Sequence, residues 1–193
     1  MSNSRFAAGY TPQEYNKSSS PPHGNNVRQE TTIGQDIGRL ILKIIAIALV
    51  FVLLFTFMFG FYYNRDASMK PSIRDGDLIF FYRLDKNYVA SDVIVLEVNG
   101  ETEIRRVVAV AGDVVNITDE GLIINGAVQQ EPDIYEDTEQ FTKGATFPLT
   151  VGKGQVFVLA DSRKNGTDSR VYGCVNISDT YGKIMTVLRR RGI

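Results

Sequence analysis

The chain has one cysteine, one histidine and no excess of basic charge, and each scarcity removes a class of function. Cys174 alone cannot close an internal disulfide, and with His23 as the sole imidazole there is no Cys/His set for a metal. No structural metal and no cofactor is expected. A formal net charge of −1 argues against a nucleic-acid binder, whose folded part ordinarily carries a clear basic excess. The one internal recurrence, Asp-Ser-Arg at Asp161 and again at Asp168, is too short to be architectural. No amphipathic helix of three turns follows Asp77.

What is present falls into three compositions. Residues 1–36 are rich in Ser, Asn, Gly, Pro and Gln, with too few apolar groups to offset chain entropy, and read as a disordered tail. Ile44 to Tyr62 runs without a charge and would span ~29 Å as a helix, close to the hydrocarbon thickness of a bilayer. A membrane span is therefore expected within 40–63. A cleavable secretory signal competes with it. The long stretch ahead, an apolar core beyond the usual ~7–15 residues and the lack of a small residue at −3 in Arg65-Asp66-Ala67 oppose that reading. Phe61, Tyr62 and Tyr63 are expected at the far interface as an aromatic belt, with Arg39 and Lys43 on the near side. Arg65, Lys70 and Arg74 follow closely, so charge bias gives only a weak N-inside preference.

From Asp77 onward the pattern is short strands. LIFFYR, DVIVLEV, EIRRVVAVA, DVVNIT, LIING, QVFVLA and KIMTVL are β-branched or aromatic runs separated by Gly, Asn and Asp turns. Residues 64–193 thus read as an all-β domain, barrel or sandwich, behind one transmembrane helix.

The segment NRDASMKPSIRDGD, Asn64 to Asp77, sets Ser68 just after the apolar run. Taken alone, Ser68 reads more simply as a turn serine than as a nucleophile, since a hydroxyl needs a neighbouring base to attack. The only histidine, His23, lies in the tail on the opposite side of the span, which excludes a Ser-His-Asp triad. The other solution is a Ser-Lys pair, in which a buried lysine is neutral near pH 7.

Ser68-Met69-Lys70-Pro71-Ser72 with Gly76-Asp77, then SDVIVLE, then RRVVAVAGDVV with LIING, then ADSRKNGTDSRVYGCV, resemble in order and spacing the boxes of the type I signal peptidases of Gram-positive type. These are membrane-anchored Ser-Lys proteases, and the likeness runs from the anchor to about Lys183. It implies a signal peptidase I-like β domain outside the membrane, a cytoplasmic N-terminus and a site close to the lipids. It also implies a substrate: the signal peptide of an exported precursor, held extended against a strand edge with small residues at −1 and −3. Gram-positive relatives lacking parts of the dyad accompany pilus subunits and sortases, which makes pilin precursors a client suggested by the resemblance.

The functional positions transfer one at a time. Ser68 matches the nucleophile, and Met69 and Pro71 match residues that shape its turn. The base of the family is the first residue of a Lys-Arg pair ahead of Gly-Asp; here the pair is Arg105-Arg106, ahead of Gly112-Asp113. A lysine, ordinarily at ~10.4, must have its pKa lowered by about three to be neutral near pH 7, and buried lysines achieve it. An arginine would have to fall by about six, at a cost of roughly 8 kcal/mol, and stays protonated in proteins. The serine that supports the lysine is replaced by Gly166, and the stretch before it reads Ala160-Asp161-Ser162-Arg163 where the family has Gly-Asp-Asn-Arg. Asp168 and Arg170 remain as a structural pair expected to hold this loop against the Ser68 region.

Asp66 falls where the family places oxyanion-hole groups; a carboxylate there would repel the developing charge and could pair with Arg105. Lys70 and Lys86 are poor substitute bases, one next to a φ-fixing proline and the other in a turn. Two expectations follow. One is a catalytically impaired homologue that binds exported precursors; the other is an active peptidase cutting after small-x-small motifs with Arg105 or an unidentified base. Plainer readings remain beside them. Ser162 to Arg170 would be a polar hairpin loop, Arg105 and Arg106 would alternate inward and outward by pleat, and Cys174 would be a small buried hydrophobe. Arg189 to Arg191 would be a solvated end, and Asn116, Asn165 and Asn176 begin sequons that matter only in a glycosylating host.

Overall fold

A computed structural model describes residues 33–189. His23, residues 1–32 of the expected tail, and Arg190 and Arg191 lie outside the described residues. Helix α1, Ile33–Met58, follows from a long apolar sequence without proline, and none of its side chains is buried. It is long and apolar enough to cross a membrane.

The helix begins inside the segment expected to be disordered and ends before the expected residue 63. Phe59–Tyr63 is strand β1, paired antiparallel with β2, Leu78–Tyr82, in the register Phe59↔Tyr82 to Tyr63↔Leu78. An aromatic run offered a strand partner pairs with it, and local apolarity alone cannot show this. The belt residues Phe61, Tyr62 and Tyr63 accordingly lie on β1. Phe59 and Phe61 both pack on Phe80, with ring centroids 5.1 and 5.0 Å away.

The domain continues with β3 Val93–Val98, β4 Glu101–Val110, β5 Val114–Thr118, β6 Gly121–Ile124, β7 Ala127–Val128 and β8 Leu149–Thr150. It ends with β9 Gln155–Leu159, the one-turn helix α2 Ser169–Tyr172, β10 Val175–Asn176 and β11 Thr180–Leu188. One sheet has the order β1-β2-β11-β3-β4-β9-β10 and the other β7-β6-β5-β8. All the pairings among the described residues are antiparallel, which short connections between successive strands allow. The strands unread in the sequence are β1, masked by the apolar run, and the two-residue β7, β8 and β10, too short for alternation to be visible.

One of the core clusters positions the site. Met69 and Ile73 from the Ser68 turn are buried with Ile79, Phe81, Val95 and Ile104 from β2, β3 and β4. Each such side chain contributes about 1.5–3 kcal/mol when fully buried, so the turn is fastened by its apolar members. On β4 the pleat sends Ile104 into this cluster and turns Glu103 and Arg105 to the other face, where their side chains meet.

Candidate active site

Ser68 sits in a loop pinned at both ends. The Asn64 amide donates to the Asp77 carbonyl and the Gly76 amide to the Asn64 carbonyl, each at 2.9 Å. Gly76 has φ +86°, a conformation other residues rarely adopt, which lets the chain close this turn. The buried Asn64 side chain donates across the loop to the carbonyls of Asp66 and Arg74, at 2.6 and 2.9 Å. The Ser162 amide donates to the Ser68 carbonyl at 2.8 Å, tying the serine to the second loop of the site. Pro71 stands on the exposed side of the turn.

The hydroxyl of Ser68 is enclosed by charge. It donates to Asp66 Oδ2, and the Ser68 amide donates to Asp66 Oδ1 at 3.0 Å. From the other side Arg105 Nη1 donates to Ser68 Oγ at 2.8 Å and approaches Asp66 Oδ2 at 3.4 Å. The guanidinium is oriented by further acceptors: the Ile104 carbonyl at 2.6 Å, the Thr167 carbonyl at 2.9 Å through Nε, and Glu103 Oε2 at 3.1 Å. Only 3% of the Arg105 side chain is exposed, against 49% of Asp66. A guanidinium keeps its protons in a folded protein, so the group beside Ser68 Oγ is a donor and cannot take the serine proton.

Burial works against the charged form of Asp66, but hydrogen bonds from the Ser68 hydroxyl and amide, with the charge of Arg105, outweigh it and hold its carboxyl below the usual range. Glu103 moves the other way, because burial exceeds the help of Arg105. Tyr172, whose hydroxyl meets Glu103 at 3.5 Å, is also raised, chiefly by burial.

The second loop is packed and ion-paired, which corrects the polar-hairpin reading of Ser162 to Arg170. Asp168 caps α2 and accepts from the Ala160 amide at 3.0 Å and from Arg170 Nη2 at 2.8 Å, both side chains being buried. Arg170 reaches on to the Arg163 carbonyl at 2.6 Å, and Arg163 pairs with Glu131 at 2.5 Å. Arg106 binds Asp161 at 2.7 Å, so both members of the Arg105-Arg106 pair are engaged and neither is a free outward charge.

Gly166 stands over Ser68. A Cβ added there would lie 3.4 Å from Ser68 Cβ but only 2.1 Å from Ala160 Cβ. The methyl of Ala160 occupies the space a longer residue 166 would need. Lys70 is exposed, and Lys86 Nζ is held by the Thr180 carbonyl at 2.6 Å; neither is a partner of Ser68. Cys174 is half-buried against Val115, Phe157 and their neighbours.

Ser68, Asp66, Arg105 and Gly166 are thus brought together, with Met69 beneath them and Asp168 and Arg170 fastening the adjacent loop. Sequence reasoning missed Glu103, Ala160 and Asn64. Glu103 was findable, since it is two residues before Arg105 on a strand and must share its face. Ala160 showed itself only as a departure from glycine, and Asn64 gave no signal.

The profile described as "Signal peptidase, peptidase S26" matches residues 37–188. Signal peptidase I of Bacillus amyloliquefaciens is 27% identical over 164 residues, covering 78% of this chain and 82% of that protein. Signal peptidase I T of Bacillus subtilis (strain 168) is 32% identical over 123 residues, 56% of this chain and 62% of that protein. Among solved structures, a signal peptidase I from Enterococcus faecalis V583 aligns at 30% identity with a TM-score of 0.46, covering 52% of this chain and 97% of that one.

Proposed function

The chain belongs to the signal peptidase family of peptidase S26, and on that premise we propose that it is a catalytically impaired member that binds exported precursors at the outer membrane face. Its N-terminus is cytoplasmic, α1 is a single-pass anchor and the β domain is extracytoplasmic. Its clients are the signal peptides of exported proteins, pilin-like precursors and their sortases among the partners. The observation that carries this reading is the Arg105 guanidinium on Ser68 Oγ, where proton transfer needs an acceptor. The Asp66 carboxylate adds to it. By accepting the Ser68 amide, it takes up a donor that a developing oxyanion would need.

A second reading has its own observation. The Ser68 hydroxyl already donates to Asp66, so an active peptidase could pass its proton to that carboxylate. Against this, Asp66 is held below the ordinary carboxylate range, which makes it a weaker base, and its charge stands where negative charge would grow.

The test uses the full chain in detergent or lipid, because a truncation starting at residue 64 would remove β1 from its sheet. With a precursor bearing small residues at −1 and −3, crosslinking to the β domain is expected and cleavage is not. Cleavage that disappears in Ser68→Ala would overturn the impaired reading, and failure to crosslink any exported precursor would remove the binding role.

A further inference from the structure

We infer that Arg105 and Ser68 form a receptor for the C-terminal carboxylate of an extended peptide, the end left when a signal peptide has been cut, and that Asp66 is a tethered stand-in for that ligand. The inference rests on the reading that the site takes signal-peptide-like segments and names the part of them it binds.

The arrangement around Asp66 is that of a bound carboxylate. Its oxygens accept from the Ser68 amide, the Ser68 hydroxyl and Arg105 Nη1. Charged donors together with a backbone N–H are the usual means of capturing a peptide terminus. Exposure is divided as between ligand and receptor: Asp66 is open to solvent, while Ser68 and Arg105 are buried behind it.

The receptor is built independently of Asp66. Arg105 is oriented by the Thr167 and Ile104 carbonyls and by Glu103, and Ser68 by the Ser162 amide on its carbonyl. Asp66 is the looser of the two anions on Arg105, at 3.4 Å against 3.1 Å for Glu103. An incoming carboxylate that displaces it keeps the charge balanced. An uncut peptide bond, having no charge, would leave a buried guanidinium with less compensation, so the site discriminates between cut and uncut ends.

The test compares peptides of one sequence with small residues at −1 and −3: one ending at −1 as the free acid, one as its C-terminal amide, one continuing past the junction. Binding to the full-length protein in micelles is read by fluorescence anisotropy. The free acid is expected to bind about tenfold or more tighter than the amide, the size of one charge-assisted contact. Asp66→Ala should strengthen free-acid binding by a similar factor, and acetate at the same concentration should not compete. Equal binding of acid and amide in both proteins would overturn the carboxylate receptor, while binding of the uncut peptide would keep the precursor-holding reading. Displacement by acetate would reduce the site to a general anion hole and also overturn the inference; binding of none of the peptides would remove both readings.

Discussion

Two arginine–aspartate pairs bracket Ser68, and they differ in where the acid lies. Arg170 and Asp168 are both out of solvent at 2.8 Å and make their further hydrogen bonds with backbone groups of Ala160, Arg163 and Glu139. Arg105 is as deeply buried, but its Asp66 is half exposed and only 3.4 Å distant. The first pair is architecture: neither charge can leave without stranding the other. The second joins a buried guanidinium to a carboxylate that faces solvent. The loop that carries Asp168 is thus a closed frame, while the ion pair beside Ser68 has one member in solvent.

The largest expected effect separates the pairs by stability. Asp168→Ala strands a buried guanidinium and should cost about 3–5 kcal/mol, while Asp66→Ala should stay within about 1 kcal/mol. Denaturant unfolding of both variants measures this, and equal costs would break the comparison.

A smaller effect concerns Ala160 and Gly166. Gly166→Ser should destabilise by about 1–3 kcal/mol through overpacking, and adding Ala160→Gly should relieve most of it. For the same reason, Arg105→Lys with Gly166→Ser is not expected to create turnover unless Ala160→Gly is added. A working double variant would show that the loop yields more readily than its packing implies.

The smallest effect is in pH dependence. Asp66 has a lowered folded-state pKa, so its contribution is present above the ordinary carboxylate range and is lost as pH falls through the lower folded value. Glu103 is raised, so its contribution is present in acid, below the ordinary range, and is lost as pH rises through the raised value. Stability curves of wild type and Asp66→Asn should therefore converge in acid and separate toward neutral pH by less than about 1 kcal/mol, because Asp66 is half exposed. Separation confined to acid would contradict the sign.

The long strands were legible because alternation and turn residues are local signals; β2, β3, β4 and β9 fall close to the runs that announced them. The helix end was not. Phe59 to Tyr63 is as apolar as the run before it, and only pairing with β2 makes it a strand. At the candidate site, the boxes pointed to Ser68, Arg105 and Gly166, which the fold brings together. What they could not give was direction, that Arg105 donates to the serine as well as facing Asp66, or volume, that Ala160 fills the space beside Gly166. Both depend on three-dimensional packing between segments distant in sequence.

The most direct test of the central claim is the single-turnover cleavage rate of a precursor by the full-length wild type beside Ser68→Ala, in lipid. The expected result is two indistinguishable rates, with Ser68-dependent cleavage emerging only when Arg105→Lys, Ala160→Gly and Gly166→Ser are combined. Cleavage by the wild type that Ser68→Ala abolishes would contradict it, and would mean that Ser68 loses its proton with Arg105 in place.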